Sequence, residues 1–200
     1  MADEKPAAPP RVVFDPTKLE QLNVSKDYPM ERDDFQRLFR FNAYCEMAHV
    51  NKKGYPIVTP MFYVIHDGFL QMSSIQKYRH KVHHLVENPK ISVSIHNDGC
   101  NVRHQKAILM IGQAEVYTDD ATMREIHWAI IDKYWYELKG QEEQRQAAFT
   151  AVHTPLRCII KVHPEKVMTW DFGKMVEAYD PGVWFGESHK LEMASKDNPV

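Results

Sequence analysis

Two turn signals, Asn51-Lys-Lys-Gly54 and His66-Asp-Gly68, join three consecutive strand-like segments through short turns. Segments joined this tightly run antiparallel, because parallel strands need a crossover of about a dozen residues or more. On either side of the first turn, residues 42–50 carry alternating apolar positions, with Ala43, Cys45 and Ala48 small enough for a tightly curved sheet, and Tyr55 to Ile65 forms the return strand. That return strand contains Pro56 and Pro60, which cannot donate to a central ladder, so it belongs at an edge, a bulge or an exposed rim. Phe69 to Ser73 is the third strand.

The remaining chain agrees with a curved antiparallel sheet. Met30, Phe35, Leu38 and Phe39 fall at helical spacing and predict an amphipathic helix over about residues 31–40. Ile91-Ser-Val-Ser-Ile95 alternates with period two, and Ala107 to Tyr117 reads as a long strand in which Gly112 marks a bend or a close backbone approach. A helix capped by Asp119 and Asp120 is expected over residues 121–138, stopping at Lys139-Gly140, followed by a short helix over 141–150. Leu156 to Val162 and Lys166 to Trp170 supply the closing strands. The domain layout predicted is an N-terminal arm (1–27), a main domain (28–175) and a C-terminal tail (176–200) anchored by Trp184 and Phe185.

Composition narrows the function. A formal net charge of -2 and a pI near 6.6 argue against a general nucleic-acid binder, so any anion site is local. Cys45, Cys100 and Cys158 offer neither a disulfide framework nor a thiolate zinc spacing. No apolar run approaches a membrane span, and no signal-peptide core is seen, so a cytoplasmic protein is expected. His80 and His84 lie one helical turn apart, but no third ligand completes a metal site, and none is predicted.

The stretch Gln71 to Pro89 carries the chemistry. It joins a strand to a short basic helix and sets Ser73 and Ser74 beside Lys77, Arg79 and Lys81. A helix N-terminus offers free N–H groups to an anion, and a guanidinium can grip a phosphate through two parallel hydrogen bonds. A solvated basic helix is the plain alternative, and these residues alone do not decide.

Taken together, Ala48-His-Val-Asn-Lys-Lys-Gly-Tyr-Pro-Ile-Val-Thr-Pro-Met-Phe-Tyr63, Met72-Ser-Ser with Arg79-His-Lys-Val-His-His-Leu and Asn88-Pro, and Ile111-Gly-Gln-Ala-Glu-Val116 resemble the pyridoxamine 5'-phosphate oxidase-like family of flavin-binding split β-barrels. The resemblance spans roughly Phe35 to Asp171. It implies a mainly β fold, a six-stranded antiparallel split β-barrel with flanking helices, and a homodimer with cofactor sites at the subunit interface. Ser73, Ser74, Arg79 and Lys81 then look like binders of the FMN phosphate, with Lys77 a weaker candidate. Pro60, Met61, Phe62 and Tyr63 look like the strand facing the ring system, Gln113 like a contact to the partner's cofactor, and Trp170 like a contact on the last strand.

The resemblance also implies an oxidoreductase in which FMN exchanges a hydride with a small planar or aromatic substrate, with NAD(P)H or reduced F420 as electron donor. F420 itself is the alternative cofactor, since residues 74–81 resemble that branch about as well. A non-enzymatic flavin-binding or sensing protein is the alternative role. No residue stands out as catalytic. Phe39, Tyr44, Tyr63, Trp170 and Trp184 are candidates to line the substrate pocket. The tail Val183-Trp-Phe-Gly-Glu-Ser-His-Lys190 departs from the Arg-containing substrate motif of true pyridoxamine-phosphate oxidases, so the vitamin B6 reaction is not expected.

Overall fold

The computed structural model describes residues 17–77, 79–97 and 104–178. The elements run α1 (Thr17–Gln21), α2 (Arg32–Phe41), β1 (Cys45–Val50), β2 (Pro56–Met61), β3 (Val64–His66), β4 (Phe69–Ile75), α3 (His80–Glu87), β5 (Lys90–His96), β6 (Lys106–Tyr117), α4 (Asp120–Tyr134), a 3₁₀ turn (Tyr136–Leu138), α5 (Glu142–Val152), β7 (Arg157–Asp171) and α6 (Phe172–Ala178). The protein is mainly β: its strands form one seven-stranded sheet in the order β2-β1-β5-β6-β7-β4-β3, and every neighbouring pair is antiparallel. Among the described residues, no helix is long and apolar enough to cross a membrane.

The strand count differs from the expected six. The return strand expected over 55–65 breaks into β2 and β3 at Phe62-Tyr63, which become the two opposite edges of the sheet. Two linking residues can span only about 11 Å between Met61 and Val64, so the sheet must curl until its edges approach at that corner. Tyr134 pins the bend: its hydroxyl accepts from the Tyr63 N–H at 2.9 Å and lies 2.8 Å from the carbonyls of Ala43 and Tyr63. The two closing strands are instead one long β7, paired with β6 along its length. It stays continuous because its register slips between Ile111 and Gly112, absorbing the curvature in a bulge. A side chain at Gly112 would collide with the backbone of His163 and Pro164, which is the close approach the glycine signalled.

Other expectations shift less. α4 ends at Tyr134, short of the predicted 138, because the chain tightens there into the 3₁₀ turn. Asp119 alone caps α4, accepting from Thr122 N–H at 2.8 Å, which leaves the Asp120 carboxylate for other partners. In β1 the inward positions are Cys45, Met47 and His49, so Ala48 lies on the opposite face from Cys45. In the segment expected as an arm, Leu19 is buried, Asn23 bridges to Val167, and the Ser25 hydroxyl donates to the Thr169 carbonyl. Cys100, Trp184 and Phe185 lie outside the described residues.

Strand alternation gives the sheet two apolar faces. Inside the curl, Met47, Met72, Ile95, Met110 and Ile160 pack against Phe35, Leu38 and Phe39 of α2 and Val82 and Leu85 of α3. Each of these fully buried side chains contributes roughly 1.5–3 kcal/mol. On the other face, Val64 and Ile159 meet Met123, Ile126, Ala129 and Ile130 of α4. β4 lies between these two layers, and that position governs the site.

Candidate functional site

Successive side chains on a strand point to opposite faces, so the structure does not bring the Ser73 and Ser74 hydroxyls together. Ser74 is buried on the core face with Leu70 and Met72, paired with Cys158 of β7. Ser73 lies on the α4 face, its Oγ 2.8 Å from His127 Nε2 and accepting from Arg157 Nη1 at 3.3 Å.

After β4 the chain turns through Gln76 and Lys77 and enters α3. Arg79 takes the N-cap position in an extended conformation without a side-chain cap, and the first turn holds no acidic residue. An uncapped, acid-free N-terminus leaves its leading N–H groups open to an anion. Lys77 and Arg79 are exposed, whereas Lys81 reaches back under the helix, where its ammonium donates to the Met61 Sδ at 2.9 Å. A thioether is a weak acceptor. No carboxylate among the described residues pairs with Lys81 or Arg79. Burial first, and the neighbouring Arg79 charge second, pull the Lys81 pKa below the ordinary lysine value. Two neighbouring cations, one half-buried and neither paired with a carboxylate among the described residues, therefore stand at the same helix terminus.

The Lys81–Met61 contact joins this junction to the end of β2. That strand is an edge among the described residues, as its prolines require, so one side of its backbone has no ladder partner. Pro60 and Phe62 face outward, the Phe62 ring lying 4.9 Å from that of Tyr44 and 4.6 Å from that of Tyr134. Met61 and Tyr63 face inward. Tyr63 is fully buried, its hydroxyl within 3.1 Å of the Leu38 carbonyl and 3.2 Å of the Phe39 carbonyl. Phe39 is buried as well and borders a cavity with Arg40, Val64 and Lys133, whereas Tyr44 and Trp170 are exposed.

Two residues lie apart. Gln113 is exposed on the outer face of β6, donating to Glu165 Oε1 at 2.8 Å, and lines a shallow cleft with Ala48, Pro56, Ser92 and Ile111. Trp170, half-exposed near the end of β7, lines a second cleft with His96, Ala107 and Phe172. It stands near one end of β7 and Arg157 at the other.

The histidines sort themselves. His84 Nδ1 lies 3.1 Å from His49 Nε2, and burial, His84 and Lys81, in that order, lower the His49 pKa. The His80 ring stacks on His84 at 6.3 Å. No group of three metal-ligating side chains occurs among the described residues.

The sequence reading did not find Arg157, His127 or His153, and it took Asp120 for a cap. Arg157 is brought to Ser73 by β4–β7 pairing across 84 positions, for which no local pattern exists. The available signal for His127 was its place beside Ile126 in the apolar stripe of α4, where an imidazole must find a partner.

A family model described as pyridoxamine 5'-phosphate oxidase matches residues 32–171. No curated protein matches. Among solved structures, a conserved hypothetical protein from Mycobacterium tuberculosis superposes with a TM-score of 0.62 at 17% identity, over 76% of this chain and 91% of that one. A candidate 5-nitroimidazole antibiotic resistance protein from Bacteroides thetaiotaomicron gives 0.52 at 14% identity, covering 70% and 82%. A protein of unknown function from Agrobacterium tumefaciens gives 0.50 at 15% identity, covering 73% and 60%. At these identities the likeness is one of fold.

Proposed function

The chain belongs to the pyridoxamine 5'-phosphate oxidase family, and from that premise we propose that it is an FMN-dependent oxidoreductase acting as a homodimeric split barrel on a small planar or aromatic substrate. The observation that carries this reading is the pair Arg79 and Lys81 at the uncapped N-terminus of α3, without a carboxylate among the described residues. A half-buried ammonium beside a guanidinium costs free energy unless an anion joins them. A phosphomonoester is such an anion, and the donor set fits it: two cations and open helix N–H groups.

When bound, FMN supplies hydride acceptance and donation at its ring. This chain's residues bind and orient. Arg79 and Lys81 hold the phosphate end. The open edge of β2 at Pro60 and Met61 offers backbone groups to a planar ring, and the Lys81–Met61 contact fixes the distance between these two parts. Gln113 and Trp170 cannot reach that junction within one chain, since they stand on the outer face and near the far end of β7. A second copy supplies them in our reading, which favours a dimer with shared sites. Exposed Val58 and Ile111 on the outer sheet face give it apolar surface to bury.

F420 is the second reading of the cofactor. It is favoured by exposed Lys53 at the β1–β2 turn, for which no ion pair occurs among the described residues and which would suit an acidic tail. The absorption spectrum of the purified, reconstituted protein separates the readings. Two flavin bands support FMN, one deazaflavin band supports F420, and uptake of neither overturns both. Cofactor binding without reduction by NADPH, NADH or reduced F420 would favour a carrier or sensor. A sedimentation mass of one chain would sink the shared site.

A further inference from the structure

On the α4 face of β4, four side chains from β4, α4 and the C-terminal cap of α5 form one hydrogen-bonded line. Ser73 Oγ lies 2.8 Å from His127 Nε2, His127 Nδ1 lies 3.0 Å from His153 Nδ1, and His153 Nε2 lies 3.0 Å from Asp120 Oδ1. The line is held by packing: Phe149 of α5 stacks on Trp128 of α4 at 4.2 Å and on His153 at 4.8 Å. At its inner end, Arg157 donates to Ser73 Oγ. Arg157 is half-buried, and no carboxylate pairs with it among the described residues. Burial depresses its pKa, the mark of a cation held without a counter-ion.

We infer that Ser73 and Arg157 form an anion site for a phosphomonoester, and that His127, His153 and Asp120 are positioning residues which decide whether the Ser73 hydroxyl accepts or donates there. The site stands on this geometry; only its assignment to a flavin phosphate rests on the reading above. Lys81 and Arg157 both act on the Cys158 thiol, so the two cations flank one strand end from its two faces.

The direction of the line follows from its ends. Asp120 accepts, so His153 Nε2 carries a proton. With His153 neutral, its Nδ1 accepts from His127 Nδ1–H, leaving His127 Nε2 to accept the Ser73 proton. Ser73 then presents only lone pairs, which suit Arg157 and repel an anion. If one proton enters the line, the His153–His127 and His127–Ser73 bonds reverse while Asp120 goes on accepting from His153 Nε2–H. His153 holds protons on both nitrogens beside Asp120, His127 donates from Nε2 to Ser73, and the Ser73 O–H is released toward the ligand. That proton comes from solvent or from the acidic hydroxyl of a phosphate monoanion, which then remains as the dianion. The charged and titratable groups facing the line are Arg157 from β7, Arg124 on the same Asp120 carboxylate, and the members themselves. His127, buried beside His153 and Arg157, has its pKa pulled down to about 4, so it stays the neutral imidazole of the line.

Inorganic phosphate titrated into ¹⁵N-Arg,His-labelled protein tests this directly, followed by FMN and riboflavin on the same samples. Saturable shifts of the Arg157 guanidinium are expected, with the His127 ring proton moving from Nδ1 to Nε2. Arg157→Met should abolish the His127 response to phosphate and lower FMN affinity about ten- to a hundredfold, the loss of one charge-assisted hydrogen bond, while riboflavin affinity stays unchanged. Arg157→Lys should restore part, and Asp120→Asn should hold His127 in one tautomer at every phosphate concentration. Phosphate shifts without uptake of any flavin would support the site and refute the cofactor reading. FMN binding that leaves Arg157 and the FMN-to-riboflavin ratio of Arg157→Met unmoved would overturn the site alone. An absence of saturable Arg157 shifts with every ligand would overturn it as well.

Discussion

Among the described residues, cations withdrawn from water are treated in two ways. Lys106, at the start of β6, is buried between two carboxylates: it pairs with Asp171 at the end of β7 and with Asp34 of α2 at 3.3 Å. Asp171 in turn accepts from the Gly173 N–H at 2.9 Å, fixing the start of α6. Lys81 and Arg157, at the opposite end of the sheet, meet a thioether and a hydroxyl, with no carboxylate partner among the described residues. Charge buried with its partner closes a structure, whereas charge half-buried without one stays poised for a ligand.

Four outcomes would break or sharpen that contrast. The largest effect is expected on binding: changing Arg79 and Lys81 together to Ala should weaken FMN by about 3–6 kcal/mol, two charge-assisted contacts, with no fall in the urea midpoint of the apoprotein. An unchanged dissociation constant in a fluorescence titration would place the phosphate elsewhere. Lys106→Met should do the reverse, destabilising the fold by about 3–5 kcal/mol in urea because it strands Asp171 and Asp34. A loss below about 1 kcal/mol would show that the two ends of the sheet do not differ.

Acid should act through His127. Its folded pKa of about 4 lies below the ordinary 6.5, so the unfolded chain takes up a proton first as pH falls. The stability this histidine confers is complete above pH 6.5 and drains away between 6.5 and 4, amounting to about 2–3 kcal/mol. His127→Gln should flatten that part of the curve, and parallel pH profiles of melting temperature for the two proteins would refute the assignment. The smallest effect is a gain. Lys81→Met removes the half-buried ammonium beside Arg79 and should stabilise the apoprotein by up to about 1 kcal/mol, a figure reduced for solvent screening, while weakening FMN. Apoprotein destabilisation on calorimetry would mean that Lys81 is structural after all.

Much of the fold was legible locally. Asp67-Gly68 takes left-handed backbone, with φ of 49° and 73°, as a two-residue hairpin turn requires. The prolines of β2 marked an edge, Gly112 marked a bulge, and Ile91, Val93 and Ile95 face inward as their alternation demands. The splitting of residues 55–65 into two edges was not legible, because a break at Phe62-Tyr63 depends on a tyrosine hydroxyl supplied by α4. Of the candidate site, the α3 cations and their link to the strand before them were readable; the opposite facing of Ser73 and Ser74 was implied by strand period and still misses a reader who sees adjacent hydroxyls as one cradle.

The sequence by itself determined the turns, the strand and helix periods, the family resemblance and the cations of residues 77–81, since each is set by local sterics, by hydrophobic spacing or by residue identity. Only the tertiary structure decided which cations keep a carboxylate and which do not, and it alone set Arg157, His127, His153 and Asp120 in line with Ser73. Those pairings join β4 to β7, α4 and α5, and contacts across such separations are selected by the packing of whole layers, which leaves no trace in any short stretch of chain.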